Sequence, residues 1–475
     1  MINRPMIKIL FISIIFVFSV QAQASLRELI KSAFSNNLTL ENSRVKVLTN
    51  EQNLTILNSN LDFRLNFETS FVDSNFERDP FSLVAANTAW SNELSLSKSF
   101  IWGGELAFVN QYRQLDPKSS FSKSYLFQQK LIYTQDLGQN FLGRSLQKDI
   151  EALELENEVG LLELTLEQKE QLLTLAILYV EGSTLNEQIS LEKASIKRLE
   201  KRLKYVKNQV RDGIREKVDE YRAKENLLAR QSALRDVEHR LWELREQIGQ
   251  IVLINVTQLN FKKNSIQIDW TKPWIGWHLK ENVDRQLLIK RLEAIGQKTK
   301  SLKQKNSADI KLVTSYGTNN WEVESSKAIS GGYLTQDNDE KTIALQVSLP
   351  LGNNASEAEL IKVSAQKQML EKYVKNWDEV LINTATTLGE RHKLLAQNLD
   401  NASQRVQLAQ KALDSYTLLY AKGRVDLDQL ISAEEQLIGD QRLILNSRKA
   451  LANLTLEAQA LAGRLPDFLL KTIDL

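Results

Sequence analysis

Three histidines, His239, His278 and His392, are the only imidazoles in 475 residues, and the sequence has no cysteine. That removes thiolate nucleophiles, disulfides and Cys-ligated zinc, and also the lipid-anchor residue of a bacterial lipoprotein. The histidines lie far apart and form no pair at metal-ligand spacing, and there is no phosphate-binding glycine loop or nucleophile elbow. Glu390-Arg391-His392 is the one trio with acid–base potential. His392 falls on an apolar helical seam, where a lone histidine packs far more often than it catalyses. The acid pair Glu434-Glu435 lies on a helix and reads as a solvated face. No enzyme activity, cofactor or metal is expected, and a net charge of +2 gives no bulk attraction to nucleic acid.

The elements around these residues are long helices. Leu388, His392, Leu395, Leu399, Ala402, Val406, Ala409, Leu413, Tyr416 and Tyr420 recur at alternating steps of four and three, a coiled-coil seam. Gly423 breaks it, and a return seam opens at Ala433, Leu437, Ile444 and Leu451. About 210 residues upstream stands a second copy: Leu178, Gly182, Leu185, Ile189, Glu192, Ile196, Leu199, Leu203, Val206 and Val210, then Gly213, then Ala223, Leu227, Leu234 and Leu241. Agreement at a fixed offset over a dozen positions marks an internal duplication. The run 144–211 holds no proline and would span roughly 100 Å as one helix. Glycine at 213 and 423 suits a left-handed backbone where one helix ends and the next begins.

Elsewhere the period is two. Phe63, Leu65, Phe67 and Phe71 alternate with Arg64, Asn66, Glu68 and Ser70. Leu94, Leu96, Phe100 and Trp102 repeat the pattern, with Lys98 spoiling the apolar face once, and Trp102-Gly103-Gly104 reads as a tight turn. Less regular strands are expected over 105–112 and 125–135, with loops over 73–89 and 114–123 that carry Pro80 and Pro117. Ile310, Leu312, Thr314 and Tyr316 form a strand in the second half, 317–339 reads as a loop, and Ile343, Leu345, Val347 and Leu349 form the cleanest strand of all. Alternation of this kind fits a soluble sheet or a porin-type strand equally well. The N-terminus has Arg4 and Lys8, an apolar run over 9–20 and the small-x-small triplet Ala22-Gln23-Ala24, so a signal peptide is expected over 1–24. A kinked helix follows, broken at Asn36-Asn37, and a connector holds Pro273, Trp270, Trp274 and Trp277 before a further helix over 280–307.

The chain thus reads helix, strands, long hairpin, twice over. With the run Leu-Gln-Val-Ser-Leu-Pro-Leu-Gly-Asn at 345–353 and the repeated glycine turn, this order resembles the TolC family of outer-membrane efflux proteins over essentially the whole mature chain. The resemblance implies an α+β membrane protein. Coiled-coil hairpins would form a periplasmic α-barrel, and strands from three copies one transmembrane β-barrel in the outer membrane of a Gram-negative bacterium. It implies an exit duct of a tripartite efflux or type I secretion system, working with a periplasmic adaptor and an inner-membrane transporter. A periplasmic coiled-coil adaptor or scaffold without a barrel is the alternative.

Two to four strands cannot close a barrel alone, and an open edge in lipid is too costly, so oligomerisation is expected on physical grounds as well. The expected segments are 25–60 (helix), 61–137 (strands and loops) and 138–252 (hairpin) for the first repeat. For the second they are 253–307 (connector and helix), 308–350 (strands) and 351–463 (hairpin), with 464–475 an unassigned tail. Four strands in the first half exceed the family's usual two, so either the barrel is larger or 105–135 is an elaborated hairpin. The resemblance places a periplasmic gate at the two turns. Asp219 matches a family acid and Tyr420 a family tyrosine, and a Tyr hydroxyl donating to that carboxylate across hairpins would act as a latch. Past Gly423 the family carries two acids where this chain has Gln429 and Ser432. Asp426 and Asp428 stand nearby, either as a substitute acidic ring or as ordinary exposed turn residues.

Overall fold

The computed structural model describes residues 26–73, 88–116, 122–253, 261, 282–334, 338–349, 352 and 354–473. The expected signal peptide, Pro80, Pro117, the three connector tryptophans and Pro350 lie outside the described residues. The elements run α1 (Leu26–Asn36), α2 (Leu38–Ser59), β1 (Phe63–Asp73), β2 (Thr88–Ser99), β3 (Gly104–Asp116), β4 (Ser124–Asp136), α3 (Arg144–Arg211) and α4 (Lys217–Val252). The second half has α5 (Val283–Lys305), β5 (Asp309–Glu322), α6 (Ser325–Gly331), β6 (Asp339–Ser348), α7 (Asn354–Ala421), α8 (Leu427–Leu461) and α9 (Leu465–Ile473). Both α3 and α7 have 68 residues, and Arg144 to Asn354 and Arg211 to Ala421 are the same 210 positions apart. Contacts divide the chain into two units, one holding residues 39–167 and 278–384, the other 1–38, 168–277 and 385–475.

The first unit contains one antiparallel sheet in the order β1-β2-β3-β4-β5-β6. Six strands replace the two to four of the closure argument, and β4 pairs directly with β5, so 105–135 belongs to the continuous sheet. The ladders put Phe63, Leu65 and Phe67 beside Lys98, Leu96 and Leu94 on one face. Leu106 and Phe108, Tyr133 and Leu131, Leu312 and Tyr316, then Ile343 and Leu345 continue that face. The opposite face carries Arg64, Asn66, Ser95, Ser97, Thr342 and Gln346. Lys98 is accommodated on the apolar face by reaching its edge: its ammonium lies 5.0 Å from the Phe63 ring centroid and donates to the Leu61 carbonyl.

The expected loop over 317–339 is corrected. β5 continues to Glu322, and α6 follows it. Gly317 is not a turn residue: a Cβ there would come within 2.6 Å of the Gln129 carbonyl oxygen, so the glycine permits a close strand approach. α6 folds back on the apolar face. Asn320 donates to the Lys327 and Ala328 carbonyls at 3.0 and 2.9 Å, Thr318 donates to Gly332, and Phe127 packs edge-on to Tyr333. These contacts bury Thr318 and Asn320, polar residues that break the apolar alternation. In the same unit α5 is held by charge, with Arg285 on Asp378 at 2.7 Å, Lys290 on Glu158 at 2.8 Å and Arg291 on Glu163 at 2.5 Å.

The second unit is helical. Its larger core joins Leu29, Leu175, Tyr179, Leu241, Ile248 and Leu456. The helix break expected at Asn36-Asn37 falls at Asn37, whose buried amide donates to the Ile251 carbonyl at 3.2 Å and to Gln171 at 3.3 Å. Gly182 leaves room for the Phe261 ring, which a Cβ would meet at 2.6 Å. The unassigned tail holds α9, with Leu465 and Leu469 buried in this core. Every seam position from Leu388 to Tyr420 is buried or half-buried, His392 included, and burial holds its imidazole below the usual range.

The acid pair on α8 departs from expectation. Glu435 is exposed, but Glu434 is buried between Arg198 at 3.1 Å and Arg202 at 2.6 Å, both on α3. Two similar clamps lie nearby: Glu192 with Arg230 and Arg442, and Asp440 with Arg405. A carboxylate buried this deeply persists only when paired, which a reading of helical periodicity does not reveal.

Candidate gate at the two helical turns

All six residues expected at the gate lie in the helical unit, at the turns α3–α4 and α7–α8. The two turns share one hydrogen-bond pattern. Gly213 N–H donates to Val210 O at 3.1 Å and Ile214 N–H to Gln209 O at 2.9 Å. Gly423 N–H donates to Tyr420 O at 3.0 Å and Arg424 N–H to Leu419 O at 2.9 Å. This is the glycine-ended Schellman closure of a helix C-terminus. Gly213 has φ of 72° and Gly423 φ of 68°, and a Cβ at either would meet nothing within 4 Å. The left-handed backbone, not crowding, therefore requires glycine. Gly423→Ala is expected to cost about 1–2 kcal/mol while Gly423→Asn costs less, read as midpoints of thermal unfolding in detergent; equal midpoints for wild type and both variants would refute it.

Around the turns a second core joins the hairpins, with Val206 and Ala223 from the first and Ala409, Leu413, Tyr420, Leu427, Leu430 and Leu437 from the second. Tyr420 is 3% exposed, and burial raises its phenol above the usual range. The Arg215 guanidinium lies 4.7 Å from its ring centroid, and the Tyr205 ring is 6.3 Å away. Arg215 also reaches Asp219, Nη1 to Oδ2, at 3.9 Å.

No protein-family model matches the sequence, and no curated relative does. Solved structures do match. The outer membrane protein VceC of Vibrio cholerae is 16% identical, with 92% of this chain and 96% of that chain covered at a TM-score of 0.70. For the CmeC outer membrane channel of Campylobacter jejuni the values are 11% identity, 93% and 86% coverage and 0.68. For the open state of the MtrE outer membrane channel of Neisseria gonorrhoeae they are 16%, 93%, 89% and 0.62. This chain has the fold of TolC-type outer-membrane channels.

Within this TolC-type fold the structure brings Asp219 and Tyr420 into one neighbourhood but does not join them directly. The Tyr420 hydroxyl is buried with no hydrogen-bond partner among the described residues, so the expected Tyr-to-carboxylate latch is corrected. Arg215 stands between the two, stacking on one and facing the charge of the other. Arg215 lies in the turn ahead of α4, whose first residue is Lys217, so the periodicity that located the helices gave no signal for it. Asp428 accepts from Arg222 Nη1 at 2.6 Å, both side chains exposed. Asp426 is the N-cap of α8, and its backbone N–H donates to Gln429 Oε1 at 3.3 Å. Gln429, where the family carries an acid, thus serves a capping box. Among the described residues no group of acids and histidines could hold a metal.

Proposed function

We propose that the chain is one subunit of a homotrimeric outer-membrane exit duct, receiving substrates from an inner-membrane pump through a periplasmic adaptor. The six-stranded sheet with one apolar face carries this reading. Phe63, Leu65 and Ile343 are 69, 68 and 80% exposed, a contiguous apolar face that water disfavours and lipid accepts. No helix among the described residues is long and apolar enough to cross a membrane. The fixed 210-residue offset of α3 and α7 supports a duplicated chain whose hairpins line a periplasmic tunnel. An open groove near the second turn combines the small side chains Ala409, Ala412, Ser432 and Ala433 with Tyr416, Asp428, Gln429 and Gln436, a mixed surface proposed to receive an adaptor helix. A barrel-free adaptor or scaffold would leave the apolar sheet face without purpose. Recovery from the outer-membrane fraction as a detergent-resistant trimer is expected, and a soluble periplasmic monomer would overturn the reading.

The two turns are proposed as the gate, with Gly213 and Gly423 shaping them and Arg215 as the link between hairpins. A partly buried cation–π contact contributes about 1 kcal/mol. Threefold symmetry supplies three, roughly 3 kcal/mol, or about a hundredfold in the closed-to-open ratio. Arg215→Ala is expected to raise single-channel conductance in planar bilayers, as is Asp219→Ala to a lesser degree. Tyr420→Phe should change little, since its hydroxyl bonds to nothing among the described residues. Unchanged conductance in Arg215→Ala would place the latch elsewhere. Asp426 and Asp428 remain proposed contributors of negative charge at the mouth, offset in part by Arg222.

A further inference from the structure

The two outer strands of the sheet differ from the four between them. β1 is exposed at every residue and β6 at all but one, whereas β2 to β5 are mostly half-buried. Among the described residues nothing pairs with the free edge of either. Resting on the exit-duct reading, we infer that β6 of one copy pairs with β1 of the next, closing an eighteen-stranded barrel, in the register that sets Leu345 opposite Phe67.

Three features of the sheet converge on this register. First, six antiparallel strands make β1 and β6 run in opposite directions, so each junction continues the same ladder. An odd count would force a parallel pair at every junction. Second, the odd-numbered residues of both strands lie on the apolar face. Keeping that face continuous restricts the junction to registers that place odd opposite odd. Third, the lengths match. β6 spans Asp339–Ser348, and its end-to-end partner on β1 is 64–73, with Asp339 opposite Asp73 and Ser348 opposite Arg64. In this register Val347 meets Leu65 and Leu345 meets Phe67 outside, while Gln346 meets Asn66 and Thr342 meets Ser70 inside.

The geometry of closure provides an independent check. A row taken straight across the ladders from Phe63 passes Lys98, Leu106, Tyr133 and Thr314 to Ile343. The inferred junction carries it on to Thr69 of the next copy, six residues above its starting point. Three copies accumulate a stagger of about eighteen residues over eighteen strands. A stagger equal to the strand number gives a tilt near 36°, as in eight-stranded parallel barrels, within the usual range for closed barrels of about 35–45°. A barrel of this strand number encloses a water-filled lumen. Here the inner face mixes Arg64, Glu68, Glu93, Arg113 and Lys130, so the sheet end sorts cargo by neither charge sign nor tight fit.

The chain's lack of cysteine makes the test direct. Leu345→Cys with Phe67→Cys, and Gln346→Cys with Asn66→Cys, place thiols directly opposite across the inferred junction. Neighbouring pairs alternate in type, so one of them is the non-hydrogen-bonded pair whose side chains stand closer. Within one chain these positions are on opposite edges of the sheet. Mild oxidation of detergent-purified protein is expected to give covalent trimers for at least one pair, reversed by reductant. Leu345→Cys with Leu65→Cys or with Thr69→Cys, each shifted by two residues, should stay uncrosslinked, because diagonal Cβ atoms are about 7–8 Å apart and a disulfide needs about 3.5–4.5 Å. Linkage of a shifted pair, or a covalent ladder that passes three, overturns the inference. So do intact non-covalent trimers in which no pair links, and that result leaves the exit-duct reading standing. Absence of any trimer by native sizing takes down both.

Discussion

Glu192→Ala is expected to lower the stability of the helical unit by about 3 kcal/mol, one of the two largest effects expected of a single substitution. Glu192 is fully buried on the α3 seam. It accepts from Arg442 Nε of α8 at 2.9 Å, and Arg230 Nη1 of α4 stands 3.5 Å from its other oxygen. Alanine leaves the Arg230 side chain, 13% exposed, without its counter-charge, and opens a void between three helices. Arg442 is 37% exposed and can turn to water, which keeps the expected loss at the lower end of the range for broken buried pairs. Glu192→Gln retains the shape and an acceptor and should lose less. Glu435→Ala, exposed on α8, should fall within about 0.5 kcal/mol of wild type. Unfolding in detergent followed by helical circular dichroism separates these cases. Equal midpoints for Glu192→Ala and Glu435→Ala would show that the buried clamp contributes nothing.

Leu345→Lys is the second large effect, about 2–4 kcal/mol against assembly if this position lies near the bilayer midplane. Leu345 is 63% exposed and pairs with Leu312 on the apolar face. Gln346, its neighbour, pairs with Lys311 on the opposite face, and Gln346→Lys should be tolerated there. Refolding yield of the trimer in lipid vesicles is the measurement. Equal damage from both substitutions would count against a lipid-facing apolar side, because only a medium of low polarity on one face makes the two positions differ.

Much of this architecture was legible without coordinates. The four-three seams located α3, α4, α7 and α8, because a long helix buries one stripe and the stripe must repeat at its own period. The two-residue alternation located β1, β2, β5 and β6 and assigned their apolar faces, with Lys98 as the exception, while two less regular runs fell on β3 and β4. The glycines at 213 and 423 marked both turns, since a positive φ restricts residue type by local sterics alone. These signals are local, and local signals survive in a linear text.

What the tertiary structure decided were pairings between residues distant in sequence. Gly317 read as loop punctuation, and only the Gln129 backbone across the ladder shows why a glycine stands inside β5. Glu434 read as a solvated acid, and only two arginines more than two hundred positions away make its burial tolerable. Tyr420 and Asp219 were read as a direct pair, and Arg215, which contacts both, was passed over because its ring partner lies on the other hairpin. The number of strands in the sheet belongs to the same class: sequence periodicity identifies a strand, but only the ladder from β4 to β5 shows that both halves of the chain build one sheet. A sequence by itself determines which face of each element is apolar. Which partner covers that face, and which charge neutralises a buried charge, depends on free energies of contact that exist only once the chain has folded.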